Sequence, residues 1–575
     1  MKLITPEVPD YDPFEWEQLP FRERARLVCE AWCLQGYGSP LLVYVAYLLK
    51  IAGYIALWFF FCGFTPGMGA LADVSAWWAS PAAFQKAILL TTLVEGLGVA
   101  GSSGPLTGRY IPPFGGALYF LRPGTTKLSL FPNLPLLGGT RRTLVDVLLY
   151  ASFVGLALAG LVSAEIPREV FLGLVVVVPL MGIADKTLFL AARSEHYWPT
   201  VLCFAFMPNW VAGAKAVQLA IWFWAGVSKC NHHFPTVVAV MTSNHPVIQA
   251  GWIRRRMYKS FPEDVRPATP TILLTHVGTL FELVAPLFLA FAVGGWPLAV
   301  GLAMMVGLHA FIFSNMPMAV PLEWNVMAVY GGFALFYVHP DIPFWSMDSW
   351  PVAAVLFCTL VLVPLFGNLF PERFSFLVSM RYYAGNWPYT IWLFRGDSRK
   401  KMQQLKMSAP WVHDQLDKLY EPAVTHAILG KVLGFRLMHL QGRALSELLP
   451  KTVPRLQDYE YYDGEIICGL VLGWNFGDGH LHNERLLRAV QAQCGFEPGE
   501  LRCLCVEAQP LGRPTMAYRI YDAATGLLEE GKVDVNAMRQ RQPWDAPGEG
   551  GDAGAGGDAV DAGDALGLAA GEASA

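Results

Sequence analysis

Apolar residues in this chain are gathered in long runs, without the short alternation of surface strands. A helix that crosses a bilayer needs about 20 predominantly apolar residues. Nine segments approach or exceed that length: 41–63, 84–104, 143–163, 170–190, 210–228, 269–294, 297–315, 320–338 and 349–369. A weaker segment at 197–208 is too short to cross alone, and would extend a neighbour or re-enter the membrane. The pattern predicts an all-α polytopic membrane bundle of nine or ten transmembrane helices within residues 41–370.

The apolar period changes beyond residue 370 and predicts a small soluble α/β domain over 371–544. Predicted strands are 381–394, 465–476, 501–510, 516–523 and 527–535, and predicted helices are 398–420, 423–449 and 482–494. A hairpin turn is expected in the ATGLLEEG stretch between the last two strands. Residues 545–575 repeat Gly, Ala and Asp without a pattern, which predicts a disordered tail. The N-terminal segment, 1–40, is predicted to carry an interfacial helix over 27–40.

Composition supports a membrane protein with a smaller soluble part. The 575 residues are 54% hydrophobic and only 15% charged, whereas soluble domains carry about 25% charged residues. The net charge is -4, and the basic residues flank apolar segments, so nucleic acid is excluded as a partner. The ten cysteines show no C-x-x-C spacing, which argues against a disulfide scaffold or a zinc ribbon.

Basic residues between the apolar segments bear on orientation. Lys and Arg near the N-terminus, with none in 64–83, predict a cytoplasmic N-terminus at the cell membrane. Nine crossings would place both the basic stretch 254–259 and the C-terminal domain outside, whereas a tenth crossing within 187–228 would place both inside. Their charge favours the cytoplasmic side for the C-terminal domain, but the rule is weakest for long domains.

Lys229 is the most informative residue, because it ends the apolar segment AIWFWAGVSK. A lysine inside a membrane costs roughly 2.5–3.5 kcal/mol on insertion scales, so it marks a functional hypothesis. A lysine desolvated in an apolar pocket has a neutral amine available near neutral pH, which can act as a base. The alternative is that Lys229 extends its amine to the interface from the end of its helix.

Four motifs occur in order between Asp185 and Tyr337. They are DKTLFLAARSEHYWPTVL, PNWVAGAKAVQLAIWFWAGVSK, THVGTLFELVAPLFLAF and LHAFIFSN. This stretch, extended to 185–338, resembles the core of the vitamin K-dependent gamma-carboxylase family and its bacterial relatives, the horizontally transferred transmembrane domain. The chain as a whole, including FGDGHLHNERLLRAVQ, is similar to an actinobacterial family of multi-pass proteins with a domain of unknown function. That second resemblance implies no activity.

The carboxylase resemblance implies that Lys229 is the base that deprotonates a reduced quinone, such as menaquinol. His196 would orient the quinol oxygen or relay its proton, and the predicted pocket residues are Gln218, His276, Glu282 and His309. Trp222, Phe223 and Trp224 would form an aromatic slot for the flat ring. The large domain that binds the glutamate-rich substrate in animal carboxylases has no counterpart here, so the resemblance does not imply that substrate.

Structural interpretations compete for several of these polar residues. His276 and Glu282 lie six residues apart and do not share a helix face, so each could instead satisfy a neighbouring helix. For His309, near the end of its segment, a hydrogen bond between helices is the simpler account. Glu323 opens the next segment, where the helix dipole favours a carboxylate.

Two histidine-containing stretches fit loops better than metal sites. His232 and His233 in NHHFP and His245 in SNHP lack a carboxylate or cysteine at a recognisable spacing. Asp478, His480 and His482 in GDGHLH would supply half of a metal site, but a turn followed by a helix that Asn483 caps is favoured. No metal is therefore assigned.

Three interpretations of function remain open. The first is a membrane enzyme that uses Lys229 on a quinol or phenolic lipid and then modifies a lipid or a peptide. The second is a transporter or flippase with intramembrane His, Glu and Lys. The third is a non-catalytic scaffold. Convergence of Lys229, His196 and His276 on one cavity open to lipid would favour the enzyme, a water-filled path would favour transport, and scattered positions would favour the scaffold.

Overall fold

Helices dominate the N-terminal two thirds of the molecule. The computed structural model describes residues 2–100, 108–111, 116–315, 322–374, 381, 384–475 and 479–545. Helices in the first part are α1 Pro13–Gln18, α2 Phe21–Gln35, α3 Leu41–Cys62, α4 Val74–Trp77, α5 Pro81–Gly96, α6 Ala117–Phe120, α7 Leu144–Val162, α8 Arg168–Ala184, α9 Lys186–Ala191, α10 Ser194–Phe206, α11 Trp210–Ser228, α12 Phe234–Thr242, α13 Gly251–Arg256, α14 Thr269–Phe291, α15 Gly295–Ser314, α16 Leu322–Gly331, α17 Trp350–Phe357 and α18 Val363–Leu369. Gly332–Tyr337 continues α16, and Cys358–Leu362 joins α17 to α18, each with π-helical geometry.

Within the described part of the chain, six helices are long and apolar enough to cross a membrane. They are α3, α7, α11, α14, α15 and the continuous segment Trp350–Leu369. The remaining predicted spans at 84–104, 170–190 and 320–338 contain parts of α5, α8 and α16, and these α-helices end at Gly96, Ala184 and Gly331. By this criterion of length and composition, the described residues contain six candidate spans, whereas the sequence predicted nine or ten.

Helix α11 is the central span. Its apolar window is 78% buried, compared with 11% for α3, so α11 packs against protein on most sides while α3 presents apolar side chains outward. Local sequence fixes where neighbouring helices begin. Ser80 caps α5 with Pro81 at its first position, and Thr143 with Asp146 forms a capping box on α7.

The C-terminal region contains an antiparallel sheet with helices on both sides. Its strands are β3 Tyr389–Arg395, β4 Tyr459–Asp463, β5 Leu501–Val506, β6 Thr515–Asp522 and β7 Gly526–Asp534, after a hairpin of β1 Tyr258–Ser260 and β2 Asp264–Pro267 that precedes α14. The order in the sheet is β4-β3-β5-β6-β7. Helices here are α19 Val412–Leu416, α20 Pro422–Met438, α21 Leu445–Thr452, α22 Gly464–Leu472, α23 Gly479–His482, α24 Glu484–Cys494 and α25 Val535–Gln540, with 3-10 segments at Gly396–Gln404, Gln441–Ala444 and Leu456–Asp458.

Four predicted strands and the last hairpin are present, but the strand predicted at 465–476 is wrong. That run forms α22, which Asp463 caps at its N-terminus and Gly473 ends with a positive φ of 82°. Because α22 is buried almost all round, its apolar run carries no helical period that sequence could reveal. The predicted helix at 398–420 is also mostly 3-10 and irregular, with only α19 as α-helix.

The two faces of the sheet belong to different cores. Trp392 and Phe394 of β3 join the core of the membrane helices, α22 and α24. Ile391 and Leu393 point the other way, into a core shared with α2, α20 and α21. Because side chains alternate along a strand, the sheet packs against one core on each of its faces.

The N-terminal segment packs into the second core. Helix α2 replaces the helix predicted at 27–40, and Cys29 and Cys33 share its buried face. Helix α2 packs against α20, so the N-terminal segment and the C-terminal region are in contact. The division into domains 1–40, 41–370 and 371–544 stays a prediction, and the tail beyond residue 545 lies outside the described residues.

Buried ion pairs hold the loop before α7 to the bundle. Lys127 Nζ lies 2.6 Å from the Asp146 carboxylate, and Arg142 Nη2 lies 2.6 Å from that of Asp185, with all four side chains fully buried. Asp185 also accepts the backbone N–H of Thr187 at the start of α9. Removing one member of such a pair leaves a buried charge without its counter-ion.

We expect Asp185→Ala to destabilise the protein by about 3–5 kcal/mol, because Arg142 would lose its counter-ion and α9 its cap. The measurement is thermal unfolding of the full chain in detergent. Asp397→Ala is the control, since the Asp397–Lys400 pair is exposed and its loss should leave the melting temperature unchanged. Equal melting temperatures for both variants would contradict the structural role of Asp185.

Lys431 supplies a pH-dependent contact between α20 and the N-terminal segment. Its buried Nζ donates to the Glu7 carbonyl at 2.6 Å, and burial lowers its pKa from 10.5 to about 7. Between these values the unfolded chain holds the proton and the folded chain does not. Stability should therefore rise from pH 7 to pH 9, by at most about 1.4 kcal/mol per unit. We expect Lys431→Met to flatten this rise in melting temperature, whereas a slope equal to the parent's would count against it.

Candidate functional site

A cavity of about 620 Å³ lies where the central helices meet the C-terminal domain. Helices α11, α14 and α15 form one part of its wall, and α20, β4 and α22 form another. The apolar lining includes Trp222, Phe234, Val237, Val238, Met241, Leu308, Ile312, Trp324, Trp387, Val432 and Phe435. Such a volume, with mostly apolar walls and a few polar groups, is typical of a small-molecule site.

Lys229 lines this cavity, and its Nζ contacts the Glu282 carboxylate. The two side chains are only 7% and 3% exposed, and Nζ also lies 5.1 Å from the ring centroid of Phe234. Lys229 therefore points into the bundle instead of reaching to the interface. The neutral, unpaired amine expected from the sequence is replaced by an amine in contact with a carboxylate.

Glu282 reaches the cavity because of its position on α14. The buried face of this helix carries Thr271, Thr275, Thr279 and Glu282, at the spacing of three or four residues that defines one helical face. Each of the last two threonine hydroxyls donates to the carbonyl one helical turn before it, so neither competes for the carboxylate. The sequence carried this spacing, but the pairing of Glu282 with Lys229 was not predicted.

His309 also lines the cavity, with both ring nitrogens engaged. The Trp222 indole donates to its Nε2 at 2.9 Å, and Nδ1 lies 2.8 Å from the Asn325 Oδ1. Since Nε2 accepts, Nδ1 must donate, and the ring is the neutral tautomer. The hydrogen bond to Asn325 of α16 is the contact between helices that the sequence favoured.

His196 lies one residue behind the cavity wall. Its Nδ1 accepts a hydrogen bond of 2.9 Å from the indole of Trp324, and its ring stacks on that of Tyr197. Trp324 lines the cavity, whereas His196 does not. The two histidines thus each hold one tryptophan of the wall in place.

Gln218 and His276 are not brought to the cavity. Gln218 is buried on α11 beside the backbone of Gly331, and His276 lies on the exposed face of α14. Neither belongs to the lining. Of the six predicted site residues, the structure therefore places Lys229, Glu282 and His309 on one wall, His196 behind it and two elsewhere.

A second charged cluster, Arg436, Asp463 and Glu465, lines the C-terminal-domain side of the cavity and was not predicted. Arg436 Nη2 lies 2.9 Å from Asp463 Oδ1 and 2.9 Å from Glu465 Oε2. The guanidinium also lies 4.8 Å from the ring centroid of Tyr389. The segment that carries Glu465 was predicted as a strand, so no sequence signal brings these three residues together.

Burial and mutual contact shift the protonation of this cluster. Burial lowers the pKa of Arg436, but the Asp463 and Glu465 carboxylates outweigh it and hold that pKa well above its usual value. Burial raises the pKa of Glu465, which the Arg436 charge opposes and Asp463 reinforces. Arg436 is thus a fixed cation, whereas burial favours the protonated form of Glu465.

The cavity is bordered by apolar side chains that also lie on the outer surface of the spans. Leu274, Val277, Phe281 and Phe311 line it while remaining 54%, 41%, 41% and 42% exposed. They belong to α14 and α15, whose apolar surfaces face lipid if these helices span. A molecule dissolved in the bilayer would therefore reach the cavity sideways, past these residues.

The other histidines do not form a metal site in the described residues. His233 Nε2 lies 3.1 Å from the Ala384 carbonyl, and His245 Nδ1 accepts the backbone N–H of Val247. His482 is buried and contacts Thr390. No group of three or more His, Cys, Asp or Glu there has metal-binding geometry. Asp478 lies outside the described residues, as does the side chain of His480.

The fold and this cavity define a multi-helix membrane protein with a buried, charged site between its spans and its C-terminal domain. A family model of transmembrane proteins of unknown function, DUF3556, matches residues 1–551, and the chain belongs to this family. Searches of curated proteins and of solved structures gave no significant match. The resemblance of 185–338 to gamma-carboxylases, and the actinobacterial origin, therefore stay predictions.

We expect Lys229 and Glu282 to be energetically coupled. Lys229→Met should destabilise by about 3–5 kcal/mol because the Glu282 carboxylate loses its counter-ion, and adding Glu282→Met should recover part of that loss. The measurement is a double-mutant cycle on unfolding in detergent, with the exposed pair Lys400–Asp397 as control, where coupling should stay below about 1 kcal/mol. Additive losses at Lys229 and Glu282 would show that the contact is absent.

Proposed function

We propose that this protein is a membrane enzyme that takes a phenolic molecule, such as a reduced quinone, from the bilayer and removes a proton from it. The observation that carries this proposal is the buried contact between Lys229 and Glu282 on the wall of an apolar cavity. A charged pair without a use would be costly in that place. The proposal refines the sequence hypothesis, in which Lys229 alone was the base.

Glu282 and Lys229 have different roles in the proposed proton transfer. With Lys229 as the ammonium, the Glu282 carboxylate is the group free to accept a proton from a guest hydroxyl. The oxygen anion that results would then lie beside the Lys229 ammonium, whose charge stabilises it in a medium of low dielectric constant. A phenolic hydroxyl, with an ordinary pKa near 10, is acidic enough for this transfer, whereas an aliphatic alcohol is much less so.

The walls favour a flat, apolar guest. Trp222 and Phe234 line the cavity together with Lys229, and Val277 and Phe281 line it while also lying on the exposed apolar surface of α14. Reduced quinones are lipid-soluble and carry a phenolic hydroxyl on an aromatic ring. Such a ring fits between aromatic walls.

His309 and His196 act as positioning residues in this proposal. Both nitrogens of His309 are engaged by Trp222 and Asn325, and His196 accepts from Trp324. Each imidazole therefore fixes the rotamer of one wall tryptophan and is not needed to transfer the proton. The carboxylase resemblance supports a second step in which a lipid or peptide is modified, but no contact in the cavity identifies that step.

The test uses the full chain in lipid nanodiscs with a menaquinol analogue that has a short isoprenoid tail. Deprotonated quinols lose electrons to oxygen faster than neutral ones, so quinone absorbance reports proton removal. We expect the parent protein to accelerate quinone formation and Glu282→Gln to reduce the rate at least tenfold. Quenching of tryptophan fluorescence should show that the variant still binds the analogue.

His276→Gln is the matched control, because His276 is a predicted site residue outside the cavity, and it should leave both signals unchanged. Glu282→Gln with the full rate would refute the proposal. Binding followed by movement of the analogue across the membrane, without oxidation, would favour transport. Neither binding nor oxidation would favour the scaffold.

A further inference from the structure

The C-terminal-domain side of the cavity has polar groups that the proposed proton transfer does not use. They are Arg436, Asp463 and Glu465, and the cavity lining also contains Tyr37, Ser39, Tyr110 and, at the end of α15, Asn315. Asp463 has a structural role, since it caps α22 and pairs with Arg436. A ligand in this region would bind to the donors and acceptors that these structural contacts leave available.

Two buried atoms of the cavity lining, one on Arg436 and one on Asn315, lack hydrogen-bond partners within the described part of the chain. Arg436 is 5% exposed, and its Nη1 donor is unpaired; Asn315 is 6% exposed, and its Oδ1 acceptor is unpaired. An unpaired buried polar atom is costly, and an absent ligand is one explanation for it. The cavity lining therefore offers one unused donor and one unused acceptor.

Charge restricts which ligand fits. The cluster holds two carboxylates and one guanidinium, so a phosphate or carboxylate would meet repulsion from Asp463 and Glu465. An ammonium group has no acceptor for the Arg436 donor. A hydroxyl both donates and accepts, and so satisfies Asn315 and Arg436 alike.

Tyr37 and Tyr110 also favour a ligand that carries hydroxyl groups. Burial raises the pKa of Tyr110 to about 12, so its hydroxyl keeps its proton and remains able to donate and accept. The pKa of Tyr37 is also raised by burial. Burial also raises the pKa of Glu465. With Glu465 ionised the cluster repels an anion, and with Glu465 protonated the cluster has no net charge and one more donor, so neither form attracts an anion.

We infer that this side of the cavity binds the neutral, hydroxyl-rich headgroup of a membrane lipid, such as a sugar, while the lipid chains leave past α14 and α15. The inference rests on the proposed function only in taking the cavity as a binding site. It identifies the class of lipid that is held near the Lys229–Glu282 pair. Aromatic and hydroxyl-bearing side chains beside carboxylates suit a sugar, since each sugar hydroxyl can both donate and accept a hydrogen bond.

The experiment measures binding of three dioctanoyl lipids to the full chain in detergent by native mass spectrometry. The probes share their acyl chains and carry one neutral hexose, a phosphoglycerol or only the glycerol hydroxyl. We expect the hexose lipid to bind at least tenfold more tightly than the phosphoglycerol lipid. Equal or tighter binding of the phosphoglycerol lipid would overturn the inference.

Variants locate the binding. Asn315→Leu and Tyr110→Phe each remove one hydrogen-bonding group and should weaken binding of the hexose lipid about fivefold. Tyr330→Phe is the control, since its hydroxyl donates to Trp78 O and lies outside the lining. These variants are preferred to Arg436→Met, which would also break the pairing of α20 with β4. Unchanged affinity in both variants, with normal melting temperatures, would also overturn the inference.

Glu282→Gln separates this inference from the proposed function. It should retain the preference for the hexose lipid while losing quinol oxidation. Full quinol oxidation in Glu282→Gln, with the preference intact, would remove the enzyme proposal and leave the headgroup site. If the parent protein shows no preference for the hexose lipid but its quinol oxidation still depends on Glu282, the headgroup site alone is refuted.

Discussion

The contact between Lys229 and Glu282 is the constraint on which the rest of the site depends. Two charged side chains are held inside a bundle whose lining is otherwise mostly apolar, and each is tolerated only because of the other. The pair fixes α11 against α14, and both helices then border the cavity. Two tryptophans of the cavity wall are held in place by hydrogen bonds to His309 and His196.

The C-terminal domain completes this site and is more than an appendage to the bundle. Alternate residues of β3 enter two cores, one with the membrane helices and one with the N-terminal segment. The loop before α7 adds further ties, since the Tyr119 hydroxyl donates to the Lys406 carbonyl. All these parts are therefore in contact with one another, and the side of the membrane on which they lie stays a prediction.

Sequence predicted those features that depend on local pattern. The apolar runs located the six long apolar helices, although they predicted nine or ten spans. Strand alternation located β5, β6 and β7, and the cost of a buried lysine drew attention to Lys229. Pattern failed where tertiary contact decides. The fully buried α22 has no visible period, Arg436 and Glu465 meet only through folding, and the partner of Lys229 lies 53 positions further along the chain. His276 and Glu282 looked alike in sequence, but only the latter lies on the buried face of α14.

A high-resolution electron cryomicroscopy map of the full chain in lipid nanodiscs would reveal directly whether the buried pair exists. We expect the Lys229 side chain to turn inward, with continuous density to Glu282 beside an apolar cavity between α11, α14 and α15. A Lys229 side chain that extends among the lipid headgroups, with Glu282 paired to another residue, would contradict the buried pair and the site built on it.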